Sequence, residues 1–120
     1  MTTSVDFVYR IVTQSEWEEI QSMGAIRPNP LDQRSGFMHL SGRDEVLESA
    51  QRYFQPETRP LALKIPTKSF AGTLRWEAVE ARGGVRFPHL YADEVPLSCI
   101  HACVVLLPTK NGGYRWDEEG

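Results

Sequence analysis

Apolar and polar positions divide the first third of the chain into a segment that alternates and a segment with helical spacing. Residues 7–12 alternate and are rich in β-forming residues, which predicts a first strand with Arg10 on its mostly apolar face. A Thr13-x-x-Glu16 capping box follows, and apolar residues then recur every three positions as far as Gly24. This pattern predicts a short amphipathic helix that ends at the glycine.

The next segment combines turn residues with a second short strand and a second helix. Residues 25–35 contain two prolines, an asparagine and an aspartate, which predicts an irregular loop of the kind that often borders a ligand site. The stretch GFMHLS, residues 36–41, predicts a short strand. Ser41 and Asp44 then predict the start of a helix whose apolar stripe ends before Pro56.

The rest of the chain predicts strands and turns. The predicted strands are 61–65, 74–79, a return strand from 85 onward, 97–107 and 114–116. Two helices in the N-terminal half followed by many strands indicate an α+β fold with a mixed, mostly antiparallel sheet. The length of 120 residues predicts a single domain over 1–120, with a core of roughly 7–108 and a short C-terminal tail.

Charge and hydropathy exclude two classes of partner. A net charge of −3 gives no broadly basic surface for bulk nucleic acid. The longest apolar run, 102–107, is too short to span a bilayer, and the N-terminus has no signal-peptide pattern, so we expect a cytoplasmic protein without a membrane partner. Residues 51–90 carry seven Lys or Arg against three Glu, which indicates either a locally positive region that attracts a small phosphorylated ligand or ordinary solvated charges.

Two of the three histidines occupy similar settings, GFMHLS and PHLY. Because side chains alternate along a strand, His39 and Ser41 project from one face, and His89 and Tyr91 form a comparable row. The helix predicted after Ser41 would place free N–H groups nearby, which favour an anion. We expect His39 and His89 to face one shared cleft. The alternative is that each histidine is a structural residue whose ring is satisfied by a backbone carbonyl.

Two further residues allow both a functional and a structural interpretation. Glu77, in LRWEAV, is a candidate catalytic carboxylate or an exposed strand residue. Tyr53 lies on the apolar stripe of the second helix, where it is more simply a core residue than a platform for a cofactor. His39, His89 and Glu77 together would be a workable zinc set, but no closely spaced ligand motif supports it. We therefore expect no resident metal.

Several motifs in order resemble those of a known family. They are YRI at 9–11, EW at 16–17, the glycine at 24, GFMHLS at 36–41, YF at 53–54, RWE at 75–77 and FPHLY at 87–91. Their order and spacing resemble the bacterial family called domain of unknown function 952, over about 9–107. That family is grouped by resemblance with the ADP-ribosyltransferase-like fold, in which NAD lies in a cleft between two small sheets. The resemblance therefore implies a split sheet for this chain.

The resemblance also implies ligand contacts. His39-Leu40-Ser41 is similar to a His-x-Thr/Ser motif on an early strand of such transferases, in which the histidine bonds an NAD ribose. Those transferases commonly have glycine at the position of Leu40. Tyr53 is similar in placement to a tyrosine that stacks on nicotinamide. Arg10 would pair with the ligand phosphates. Tyr91 belongs to the second histidine row and is included among the ligand-binding candidates.

The catalytic implication concerns Glu77 and His89. Glu77 is the best match for the transferase glutamate, and His89 would replace or supplement it. A carboxylate there would stabilise the positive charge that grows on the ribose as nicotinamide leaves. NAD would then be a substrate, and no cofactor is required. The alternatives are a module that binds a nucleotide-like metabolite without a reaction and, ranked last, a metal-dependent hydrolase.

Overall fold

A computed structural model describes residues 5–117, which form nine strands, three α-helices and several 3-10 turns. The strands are β1 Phe7–Val12, β2 Ala25–Ile26, β3 Met38–His39, β4 Leu61–Pro66, β5 Leu74–Val79, β6 Val85–Leu90, β7 Val95–Pro96, β8 Ala102–Pro108 and β9 Tyr114–Trp116. The α-helices are α1 Gln14–Met23, α2 Pro30–Ser35 and α3 Val46–Tyr53. No helix within 5–117 has the length and hydrophobicity needed to cross a bilayer. The α+β expectation is confirmed.

The strands form three antiparallel sheets. A four-stranded sheet has the order β1-β4-β8-β9, a three-stranded sheet has the order β3-β6-β5, and β2 pairs with β7. Each pairing between the described strands is antiparallel, so none of these three sheets is mixed. The main core contains fully buried side chains of β1 and β4, including Val8, Leu63 and Ile65. Burial of each such side chain contributes about 2 kcal/mol relative to its exposure.

The first helix begins and ends where the sequence predicts. The hydroxyl of Thr13 accepts from the backbone N–H of Glu16 at 3.0 Å, and the Glu16 carboxylate accepts from the backbone N–H of Thr13 at 2.8 Å. These two bonds satisfy N–H groups that have no partner inside a helix. Gly24 ends the helix with φ of 85°, a left-handed conformation that glycine adopts without strain.

The prediction of an irregular loop over 25–35 was wrong, because this segment contains β2 and the whole of α2. Asn29 caps α2 through a hydrogen bond from the Asp32 backbone, and the Asp32 carboxylate accepts from the Asn29 N–H in return. Pro30 occupies the first turn, where its missing N–H costs nothing. Gly36, with φ of 88°, ends the helix and directs the chain into β3.

Three further boundaries differ from prediction. The predicted strand 97–107 begins with a 3-10 turn, Leu97–Cys99, and becomes β8 only at Ala102. Helix α3, the second helix of the prediction, is preceded by a 3-10 turn, Arg43–Glu45, whose N-cap is Gly42 rather than Ser41. The core extends beyond residue 108, because β9 pairs with β8 and the Tyr114 side chain is buried in a second cluster that includes α3.

Pro88 determines how far β3 can pair with β6. The Leu40 N–H donates to the Pro88 carbonyl at 3.2 Å, but proline has no N–H with which to complete this pair. The chain therefore leaves the three-stranded sheet after His39. Ser41 instead forms an isolated bridge with Tyr9 of β1, through two backbone hydrogen bonds of 2.7 and 2.8 Å. This bridge joins the three-stranded sheet to the four-stranded sheet.

Candidate active site

A cavity of about 410 Å³ lies where β1, α2, β3, α3 and β6 approach one another. Its volume is within the range of pockets that bind small molecules. The polar side chains that line it include those of Arg10, Asp32, His39, Ser49, Arg82 and His89.

The prediction that His39 and His89 face one cleft is confirmed. These residues stand directly opposite each other on β3 and β6, and both line the cavity. Their ring centroids are 6.1 Å apart. Phe37 packs against both rings, stacking on His89 at 3.9 Å and lying 4.7 Å from His39. The cross-strand register thus brings together two imidazoles that are fifty residues apart in the chain.

His39 is hydrogen-bonded to a buried carboxylate. Its Nδ1 lies 2.7 Å from Oδ1 of Asp32, and its backbone N–H donates to the same oxygen at 3.1 Å. The Asp32 side chain is 1% exposed. Burial by itself would raise the pKa of Asp32, but hydrogen bonds from His39 and Arg10 and the guanidinium charge hold that pKa well below its usual 3.8. Asp32 is therefore ionised at neutral pH and accepts the Nδ1 proton of His39.

Arg10 occupies the cavity wall, but its charge already has a partner. Its Nη2 donates to Oδ2 of Asp32 at 2.7 Å, and its Nη1 donates to the other carboxylate oxygen at 3.3 Å. Nη1 also donates to the His39 carbonyl at 3.0 Å. This forked arrangement is the strong form of an arginine–carboxylate pair. Arg10 thus positions Asp32 and His39, and a contact between Arg10 and a ligand phosphate stays a prediction.

His89 is hydrogen-bonded to a carboxylate that is much more exposed. Its Nδ1 lies 2.8 Å from Oε1 of Glu77, and the Tyr91 hydroxyl donates to the same oxygen at 2.7 Å. These bonds, first that of Tyr91 and then that of His89, lower the pKa of Glu77. Glu77 lies on the neighbouring strand β5 and is not among the residues that line the cavity. Its assignment as the transferase glutamate stays a prediction.

The remaining two candidate residues also lie at the cavity. Ser41 lines it but is buried, and its backbone is engaged in the bridge to Tyr9. Tyr53 lines it as well, with 64% of its surface exposed. The expectation that Tyr53 is a core residue was wrong, because the last turn of α3 projects beyond the packed cluster. Contacts of Ser41 and Tyr53 with a ligand stay predictions.

Sequence reasoning missed Arg82, a buried cation in the cavity wall. Its side chain is 6% exposed and lies over the ring of Phe87, with the guanidinium carbon 4.6 Å from the centroid. Its Nη1 donates to the hydroxyl of Ser49 at 3.2 Å. Its Nη2 is buried without a hydrogen bond among the described residues, 3.5 Å from an oxygen of the exposed Glu48. That separation is longer than a direct charged hydrogen bond.

Asp32 was also missed, although a local signal for it exists. Asn29-Pro30-Leu31-Asp32 combines an N-cap residue, a proline at the first helical position and an acidic residue at the third. That pattern predicts a helix start and places the carboxylate in its first turn. No comparable local pattern marks Arg82, which meets its partner Ser49 across thirty-three residues.

The described residues do not support the zinc set of His39, His89 and Glu77. No group of three or more His, Cys, Asp or Glu in 5–117 is arranged to hold a metal ion. Glu77, the third member of that set, does not line the cavity, and its Oε1 accepts from both His89 and Tyr91. Within these residues the structure gives the metal-dependent hydrolase no support.

The fold and the site together define a small α+β protein with two carboxylate-linked histidines in one cavity. The chain belongs to the family described as "Protein of unknown function (DUF952)", whose family model matches residues 11–103. The resemblance inferred from its motifs is thereby confirmed at the level of this family.

Solved structures of protein CC0527 from Caulobacter crescentus are similar to this chain. The X-ray crystal structure is 28% identical, with a TM-score of 0.79, and the match covers 91% of this chain and 93% of that one. The solution NMR structure is 29% identical, with a TM-score of 0.76, covering 89% and 90%. No curated protein sequence matches the chain. These likenesses support the α+β architecture and supply no activity.

Proposed function

We propose that the cavity binds a small nucleotide-like metabolite, and that NAD or ADP-ribose is the first ligand to test. The observation that carries the proposal is that His39 and His89 face the same cavity. Two imidazoles that converge from different strands give a ligand several directed hydrogen bonds at one place.

The charge in the cavity wall supports an anionic ligand. Arg82 is buried, and its Nη2 lacks a hydrogen bond among the described residues. Its ion pair with Glu48 spans 3.5 Å and leaves this buried nitrogen without a hydrogen bond, which is costly, and a phosphate or carboxylate oxygen would supply that bond after a small side-chain movement. The neighbouring Ser49 hydroxyl adds a second polar group at this position.

The remaining lining supports a ligand that also has a flat ring. Tyr53 presents an exposed aromatic face at the cavity, and Phe87 supplies a second aromatic side chain under Arg82. A base or nicotinamide ring can stack on Tyr53 while the phosphates bind at Arg82. His39 and Ser41 would then orient the ribose between the two.

The catalytic form of this proposal is the transfer or hydrolysis of ADP-ribose. Glu77 would stabilise the charge on the ribose as nicotinamide leaves, and His89 would assist it. Binding without a reaction is the second candidate, favoured by the position of Glu77 behind His89 and outside the cavity lining. Release of nicotinamide on incubation with NAD, lost in Glu77→Gln, would distinguish the enzyme from the binding module.

Binding is tested by thermal unfolding with NAD and with ADP-ribose. A ligand at 100 times its Kd should stabilise the protein by about 2.7 kcal/mol. Arg82→Gln should remove the shift in melting temperature, whereas the matched Arg86→Gln, an exposed arginine on β6, should retain it. If neither compound shifts the melting temperature at millimolar concentration, the proposal is rejected.

A further inference from the structure

The two histidines share a geometry that binding alone does not require. In each, Nδ1 is 2.7 or 2.8 Å from a carboxylate oxygen. A carboxylate only accepts hydrogen bonds, so Nδ1 carries the proton and Nε2 of the neutral ring is the basic atom. In each ring Nε2 is the nitrogen that does not face the carboxylate. Both rings therefore keep one nitrogen available for proton transfer.

We infer that His39 and His89 form a general acid–base pair that hydrolyses a phosphodiester, with a cyclic or linear nucleotide as the substrate class. This inference goes beyond the proposed function and does not depend on the binding of NAD. The two rings line the same cavity with their centroids 6.1 Å apart, and the inference requires one tetrahedral group in that cavity to hydrogen-bond to both Nε2 atoms.

The surroundings favour a phosphate ester over an acyl substrate. Acyl transfer through a covalent intermediate needs a hydroxyl or thiol bonded to the catalytic imidazole. In the described part of the chain no such group is bonded to His39 or His89. The buried guanidinium of Arg82 lines the same cavity, where it would offset the negative charge of a phosphate.

The reaction balances with water as the only other reactant. The neutral imidazole takes a proton from water at Nε2 while the water oxygen forms a bond to phosphorus. The bond between phosphorus and the leaving oxygen breaks, and that oxygen receives the proton of the other, protonated imidazole. The products are a phosphomonoester and a hydroxyl group. Exchange of protons with solvent restores the starting state of both rings.

The carboxylates act through the rings and are positioning residues. Glu77 orients His89 and offsets its charge when it is protonated, and Tyr91 holds Glu77 in place. Asp32 does the same for His39, with its own charge shared by Arg10.

The test measures hydrolysis of 2′,3′-cyclic AMP and of bis(4-nitrophenyl) phosphate by the full chain over a range of pH. We expect a bell-shaped profile of kcat/KM, and a loss of about 100-fold or more in His39→Asn and in His89→Asn. The matched control is His101→Asn, because His101 is exposed and contacts Phe7 rather than the cavity.

A second variant tests the inference even if the two histidine variants fail to fold. Glu77→Gln retains a hydrogen-bond acceptor for His89 but removes the charge, so we expect one limb of the pH profile to move to lower pH. A change in stability alone would leave the limbs in place. The inference is overturned if neither probe is hydrolysed above the buffer rate, or if both histidine variants keep the wild-type rate. Hydrolysis without NAD binding would support it and reject the earlier proposal.

Discussion

The two histidine–carboxylate pairs have almost the same hydrogen-bond length but opposite surroundings. Asp32 is 1% exposed and accepts hydrogen bonds from Arg10, His39 and the Asn29 backbone. Glu77 is 40% exposed and accepts from His89 and Tyr91. Asp32 thus holds β1, α2 and β3 together, whereas Glu77 supports a single ring. The histidine–carboxylate contact of Asp32 therefore stabilises the fold, whereas that of Glu77 mainly orients a side chain of the site.

The largest expected effect is on stability at the buried pair. Asp32→Asn removes the charge that compensates Arg10, so we expect the free energy of unfolding to fall by about 3–5 kcal/mol. Urea denaturation monitored by circular dichroism measures this loss. A loss no larger than that of Glu77→Gln would mean that the two carboxylates are equivalent, which would break the comparison.

The next effect is the pH dependence that Asp32 gives to stability. Because the folded-state pKa of Asp32 is depressed, its contribution is complete above the usual value of 3.8 and is lost as pH falls from there toward the folded pKa. In that window the unfolded chain binds more protons, so stability falls by up to about 1.4 kcal/mol per pH unit. Urea midpoints at pH 5, 4 and 3 should show a slope that is shallower in Asp32→Asn, and equal slopes would contradict this account.

A smaller effect is expected at the exposed pair. Glu77→Gln keeps an acceptor for His89 on a strand position that solvent reaches, so the urea midpoint at neutral pH should stay within experimental error. The measurement is the same denaturation curve used for Asp32→Asn, which makes the two carboxylates directly comparable. A large shift in the midpoint would show that Glu77 also has a structural role.

The smallest effect concerns one hydroxyl. Tyr91→Phe removes the hydrogen bond that contributes most to lowering the pKa of Glu77, so that pKa should rise toward its usual 4.5. A carbon-detected NMR titration of the carboxyl group measures the change without reference to stability. An unchanged pKa would indicate that His89 alone controls Glu77.

Much of the fold follows from short-range patterns. The Thr13 capping box, the alternation in β1 and the turn glycines all act over a few residues, so the sequence predicts these elements directly. The helix α2 was predicted as a loop because asparagine and proline, here Asn29 and Pro30, are common in loops as well as at the start of a helix. The end of α3 was misjudged because an apolar stripe shows which side is buried but not where burial stops.

The site was predictable only where strand alternation applies. His39 and His89 were paired correctly because each lies in a short apolar strand, and the register of β3 and β6 then aligned them. Asp32 and Arg82 reach the cavity from a helix and from a turn, so their positions depend on how separate elements pack. Such long-range packing leaves no periodic trace in the sequence.

The missing N–H of Pro88 affects the path of the chain beside the cavity. With an N–H at this position, β3 would complete another pair with β6, and the chain after His39 would be drawn toward that sheet instead of toward Tyr9. Pro88, on the strand that carries His89, thus favours the path of the chain that joins the two sheets beside the cavity.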